Sequence, residues 1–147
     1  MRETWSPDCS TRPLTELVWD EGHAGTVLTD EAAPIRVAGS TGWSPTALIA
    51  AGVDAALMVS VLETAALADL RVLGYVSATE LATAGQDEPC LVLMPTILVP
   101  AWEDVVRAHA VIADAFAATP AVRVAWPRVR LQASVEALAG RPAAPEA

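Results

Sequence analysis

The chain predicts an α+β fold in which a central helix sits inside strand layers, and three observations carry that expectation. From Thr46 to Ala68 the residues are almost all apolar or small, with Asp54 and Glu63 as the only charges. Short strand-like segments separated by turn residues precede this run. A hairpin, a helix and a strictly alternating strand follow it.

The elements can be justified in order. Leu14 to Trp19 and Gly25 to Thr29 are strand-like and are joined by the turn Asp20-Glu21-Gly22-His23-Ala24, and Ile35 to Ala38 makes a short third strand. Ser44-Pro45 opens the central helix, because serine caps free backbone N–H groups and proline needs no partner at the first helical position. With no face clearly polar, such a helix is expected to be a core element. Arg71 to Glu80 and Cys90 to Val99 then read as a hairpin around the loop from Thr83 to Pro89. Trp102, Val105, Val106, His109, Ile112, Ala113 and Phe116 recur at helical spacing, with Glu103 and Asp104 in the first turn where the helix dipole favours anions. In the last element Val129, Leu131, Ala133 and Val135 alternate with Arg128, Arg130, Gln132 and Ser134, as in a half-exposed strand. Residues 1–13 and 137–147 lack periodicity and read as flexible tails around one domain over 14–136.

Composition narrows the function. At 147 residues with 53% hydrophobic content the chain is long enough to bury a real core. A net charge of −9, from nine Arg, no Lys and 18 acidic residues, argues against nucleic acid as a partner, since phosphate binding needs clustered cations. A membrane span is not expected, because Asp54 interrupts the apolar run before it reaches about 18 residues. Cys9 and Cys90 have no metal or redox spacing and no secretion signal is visible, so a cytoplasmic, reduced protein is expected, with no metal and no cofactor.

The order of strands, apolar helix, hairpin, helix and strand, with the anchors Trp19 to Gly25, Ser44 to Gly52 and Thr119-Pro120, resembles the OsmC and organic hydroperoxide resistance family of thiol peroxidases over about Leu14 to Glu136. The resemblance implies an antiparallel sheet wrapped around a buried central helix, and an intertwined homodimer with pockets at the subunit interface. It also implies a nucleophilic cysteine about ten residues after a glutamate that opens the helix, a resolving cysteine before proline, and an arginine in the early turn. In this sequence those positions hold Ala56, Thr46, Thr119 and His23. Neither alanine nor a threonine hydroxyl can supply the thiolate that peroxide reduction needs. A peroxidase would have to use Cys9 or Cys90.

The chemistry that remains is sparse. At about 100° per residue Ile49, Gly52, Val53, Ser60 and Glu63 share the side of Ala56, while Asp54 is turned away by about 200°. A carboxylate in so apolar a helix requires a partner, such as a backbone group or an arginine across the dimer. His23, Asp54 and His109 are the candidate proton-transfer groups. Trp19, Trp43, Thr46, Val53, Ala56, Ser60 and Thr119 are the candidate ligand-binding residues, the two tryptophans walling a pocket mouth for a flat apolar molecule. Trp102 and Trp126 are assigned to core or interface. The expected function is binding of a small, largely apolar organic molecule. The alternatives are a recruited acid–base enzyme on the same pocket, a peroxidase with a displaced thiol, and a structural partner of another such subunit.

Overall fold

The computed structural model describes residues 15–83, 88–124 and 128–140. Cys9, Trp126 and much of the predicted loop from Thr83 to Pro89 lie outside them. The chain divides into two compact units with the boundary between Leu48 and Ile49.

The first unit is a three-stranded antiparallel meander of β1 (Glu16–Glu21), β2 (Ala24–Leu28) and β3 (Ile35–Val37). The turn between β1 and β2 is two residues, Gly22-His23, shorter than the five-residue turn expected. Gly22 adopts a φ of 57°, a conformation that costs a glycine little. After β3 the chain folds back so that Trp43 N–H donates to the Arg36 carbonyl at 2.9 Å and Ala38 N–H to the Trp43 carbonyl at 2.8 Å. Gly42 permits this, since a Cβ there would collide with the Ala38 and Arg36 carbonyl oxygens.

Helix α1 (Pro45–Leu67) begins as its sequence predicts: the Ala47 N–H donates to Ser44 Oγ at 3.1 Å, with Pro45 next. Its end has an unusual cap. Leu70 N–H reaches the Ala65 carbonyl at 2.9 Å and Asp69 N–H the Ala66 carbonyl at 3.2 Å, the paired bonds of a Schellman motif, with Asp69 at φ 53° in the place glycine usually takes. Leu70 and Ala65 are both buried, supplying the apolar contact that accompanies such a cap.

The second sheet is mixed rather than antiparallel throughout. β4 (Gly74–Ala82) pairs antiparallel with β5 (Cys90–Val99), but β6 (Arg128–Leu131) and β7 (Ser134–Ala137) both pair with β5 in parallel. The predicted final strand is therefore two short strands, although its alternation of half-buried and exposed residues continues across the break. Pro95 fits in the middle of β5 because β6 covers residues up to Leu93 and β7 resumes at Thr96. The expected tail from 137 is partly fixed: Leu138 and Ala139 N–H donate to the Val99 and Pro100 carbonyls.

A 3-10 turn (Trp102–Asp104) leads into α2 (Val105–Ala118), followed by the short α3 (Pro120–Val124). The core of the second unit joins Ala50, Val53, Leu57, Val61 and Ala65 of α1 to alternate residues of β5 and to Ala108, Val111, Ile112 and Ala115 of α2. The predicted stripe of α2 holds in part: Ile112 is buried and Val105 and Phe116 pack against the core, whereas Val106, His109 and Ala113 are exposed and Ala108, Val111 and Ala115 take the buried positions.

The central helix departs most from expectation. By length and composition it is apolar enough to cross a membrane. The chain's own elements cover a single stripe of it, leaving Ile49 47%, Val59 50% and Leu62 41% exposed. The covered stripe packs as in the core helix of a globular fold, with Leu57 and Val61 fully buried.

Candidate functional site

In the second unit an open cavity of about 400 Å³ lies between α1 and β4, lined by Ala51, Asp54, Ala55, Met58, Tyr75, Val76 and Ser77. Ala51, Ala55 and Met58 follow one another at helical spacing, so two small side chains leave room beside a flexible thioether. Tyr75 and Ser77 are two residues apart on β4, which places both on the same face of the strand.

The polar centre of the cavity is Asp54. Its Oδ1 accepts the Ser77 hydroxyl at 2.8 Å, joining α1 to β4. This is a partner of the kind that a carboxylate on an apolar helix requires, here a strand hydroxyl. The Tyr75 hydroxyl oxygen is buried and has no hydrogen-bond partner of proper geometry among the described residues. Burial pushes the Tyr75 phenol up to about 12, the nearby Asp54 charge adds to the effect, and Ser77 offsets part of it.

Tyr75 is the only tyrosine of the chain, so phenolate absorbance reports it alone. Its titration midpoint is expected at about 12 in the folded protein against an ordinary value of 10.0 after unfolding in urea. Since the folded value is the higher, the neutral phenol's contribution to stability is complete below the unfolded value and is lost as pH rises through the folded one. Partial exposure screens the effect, leaving a loss of about 1 kcal/mol. Asp54→Asn lowers the folded midpoint but leaves it above the ordinary range, because burial is the larger cause. A folded-state midpoint at the ordinary value would contradict this environment for Tyr75.

The other candidate residues are placed as follows. Val53 is buried in the core, and Ala56 is half-buried. Ser60 Oγ and Thr119 Oγ1 both donate to the Ala115 carbonyl, at 3.3 and 2.7 Å, so these two hydroxyls close the end of α2. Thr119 is buried there, and His109 is exposed on α2. In the first unit His23 is exposed in its turn, and Thr46 is exposed in the first turn of α1. Trp19 is 72% exposed with its Nε1 donating to the Gly22 carbonyl at 3.1 Å, while Trp43 is 53% exposed. Glu63 is exposed, as a surface carboxylate would be. Cys90 is a free, half-buried thiol whose Sγ lies 3.9 Å from the Leu91 carbonyl oxygen. Among the described residues no group of three His, Cys, Asp or Glu is placed to hold a metal ion.

Tyr75, Ser77 and Met58 were missed from the sequence. The available signal was the unmet need of Asp54 for a donor, together with two hydroxyl-bearing residues at strand spacing in the next element.

A mixed-sheet α+β chain with one long apolar helix has well-defined counterparts among solved structures. The chain superposes on a putative osmotic stress induced and detoxification response protein from Psychrobacter arcticus with a TM-score of 0.70 at 8% identity, covering 88% of this chain and 100% of that one. An OsmC-like protein from Vibrio cholerae matches at 0.67 and 14%, covering 81% and 96%. An organic hydroperoxide resistance protein OsmC from Legionella pneumophila matches at 0.61 and 18%, covering 86% and 98%. The chain has the OsmC-like fold, as its element order led us to expect. No protein-family model matches the sequence, and no curated protein matches it significantly.

Proposed function

We propose that this OsmC-fold chain has left thiol peroxidase chemistry and binds a small, largely apolar organic molecule beside its central helix, as a cytoplasmic homodimer that engages neither nucleic acid nor membrane. The observation that carries the reading is a lined cavity on α1 in a chain whose positions of expected sulfur hold Ala56 and Thr119. Thiol chemistry at those positions is closed, and the Thr119 hydroxyl is already spent on the Ala115 carbonyl. The cavity combines an apolar lining with one small group of polar atoms, the composition of a small-molecule site.

A second reading, a recruited acid–base enzyme, is favoured by one arrangement: Asp54 is held by Ser77 beside the neutral phenol of Tyr75. Such a trio can position a proton donor and an acceptor around one substrate. His23 and His109, both exposed, are the other groups that reading would draw on.

The purified protein is expected to consume neither hydrogen peroxide nor an organic hydroperoxide in the presence of a dithiol. Turnover that disappears on changing Cys9 or Cys90 to Ser would overturn the non-redox reading. Native mass spectrometry is expected to find a co-purifying small molecule that Ala55→Trp, which fills the cavity, no longer retains. Return of that molecule unchanged supports binding. Its conversion, abolished by Asp54→Asn or His23→Ala, supports the enzyme instead.

A further inference from the structure

We infer that the cavity between α1 and β4 selects an amine: a cationic ammonium group set against Asp54, with an apolar body lying along Ala51, Ala55 and Met58. This rests on the ligand-binding reading and names the chemical class of the ligand.

Four observations support it. Among the described residues Asp54 is the only charged one lining the cavity, and it forms no ion pair with them. Ser77 donates to its Oδ1, whereas Oδ2 makes no hydrogen bond among the described residues, so the carboxylate keeps accepting capacity for a ligand. An ammonium there would form a charge-assisted hydrogen bond, which is stronger than one between neutral groups. Tyr75 lines the same cavity as a neutral phenol at physiological pH, so its ring adds an electron-rich face for a cation instead of a second negative charge.

The whole-chain charge acts in the same direction. At −9 the protein attracts cations and repels anions over long range, and among the described residues the cavity lining holds no arginine or histidine to receive a carboxylate or phosphate. A neutral ligand could use the apolar walls equally well, but it would leave the carboxylate without a charged partner. Discrimination between an amine and its neutral isostere therefore reports Asp54 directly.

Isothermal titration of the full chain with 2-phenylethylamine, 2-phenylethanol and phenylacetate at neutral pH tests the inference. The amine is expected to bind about tenfold more tightly than the alcohol, and phenylacetate more weakly than either. In Asp54→Asn the advantage of the amine over the alcohol is expected to vanish, with thermal melting confirming that the variant folds. Ala55→Phe should exclude both. Equal binding of amine and alcohol to the unaltered protein, or an advantage that survives in Asp54→Asn, overturns the amine preference and leaves the ligand-binding reading intact. Tightest binding by phenylacetate also overturns it. If none of the three binds, the cavity is not a ligand site of this kind and both readings fall.

Discussion

Replacing Leu57 by Ala is expected to remove about 3 kcal/mol of folding stability, measured by urea unfolding at matched protein concentration. Leu57 is fully buried at the centre of the covered stripe of α1 and belongs to the same apolar cluster as Leu93, Ile97 and Ile112. Truncation removes its transfer energy and leaves a cavity that strand β5 and helix α2 can only partly close. The control is Val106→Ala on α2, where the side chain is 80% exposed, so a change within about 0.5 kcal/mol is expected. The pair also tests which face of α2 is covered. A large loss at Val106 with a small one at Leu57 would require a core built on the opposite faces of both helices.

The parts of this fold that were legible in the sequence are those governed by local rules. Ser44-Pro45 marks the start of α1 because capping involves only neighbouring residues. The alternation of Val129, Leu131, Ala133 and Val135 marks one covered sheet face, which holds whether the strand pairs parallel or antiparallel. For the same reason the parallel direction of β6 and β7 was not legible, since no local pattern encodes it. The stripe of α2 was legible only in part. Val105, Ile112 and Phe116 do face the core, but Val106 drew the reading toward His109 and Ala113, three and seven residues further along the exposed side. Much of the true stripe is Ala108 and Ala115, which are too weakly hydrophobic to stand out against Val106. At the site, Asp54 was visible as a charge out of place, whereas its donor Ser77 is 23 residues away and is brought to it only by the packing of β4 on α1.

Leu62→Glu is expected to convert a dimer into a monomer of 15.3 kDa, read by light scattering at micromolar concentration. Met58, Val59 and Leu62 form exposed apolar surface on one side of a helix whose only charges are Asp54 and Glu63. A face of that kind left in water favours association, and a second copy offers a self-complementary one. Each interface would then contain two buried glutamates in place of leucines, a desolvation cost large enough to weaken association by at least about 100-fold. Glu63→Ala, one residue further along at an exposed position, should leave the mass unchanged. A monomeric unaltered protein at these concentrations, or a Leu62→Glu variant that keeps the dimer mass, would overturn the pairing. The same variant decides how the cavity is closed. Ala51, Ala55, Met58 and Leu62 fall on one stripe of α1, so a partner covering Leu62 would also reach the mouth of the cavity beside Asp54. Loss of 2-phenylethylamine affinity in the Leu62→Glu monomer would then mean that the second subunit supplies part of the wall, and unchanged affinity that each chain holds its site alone.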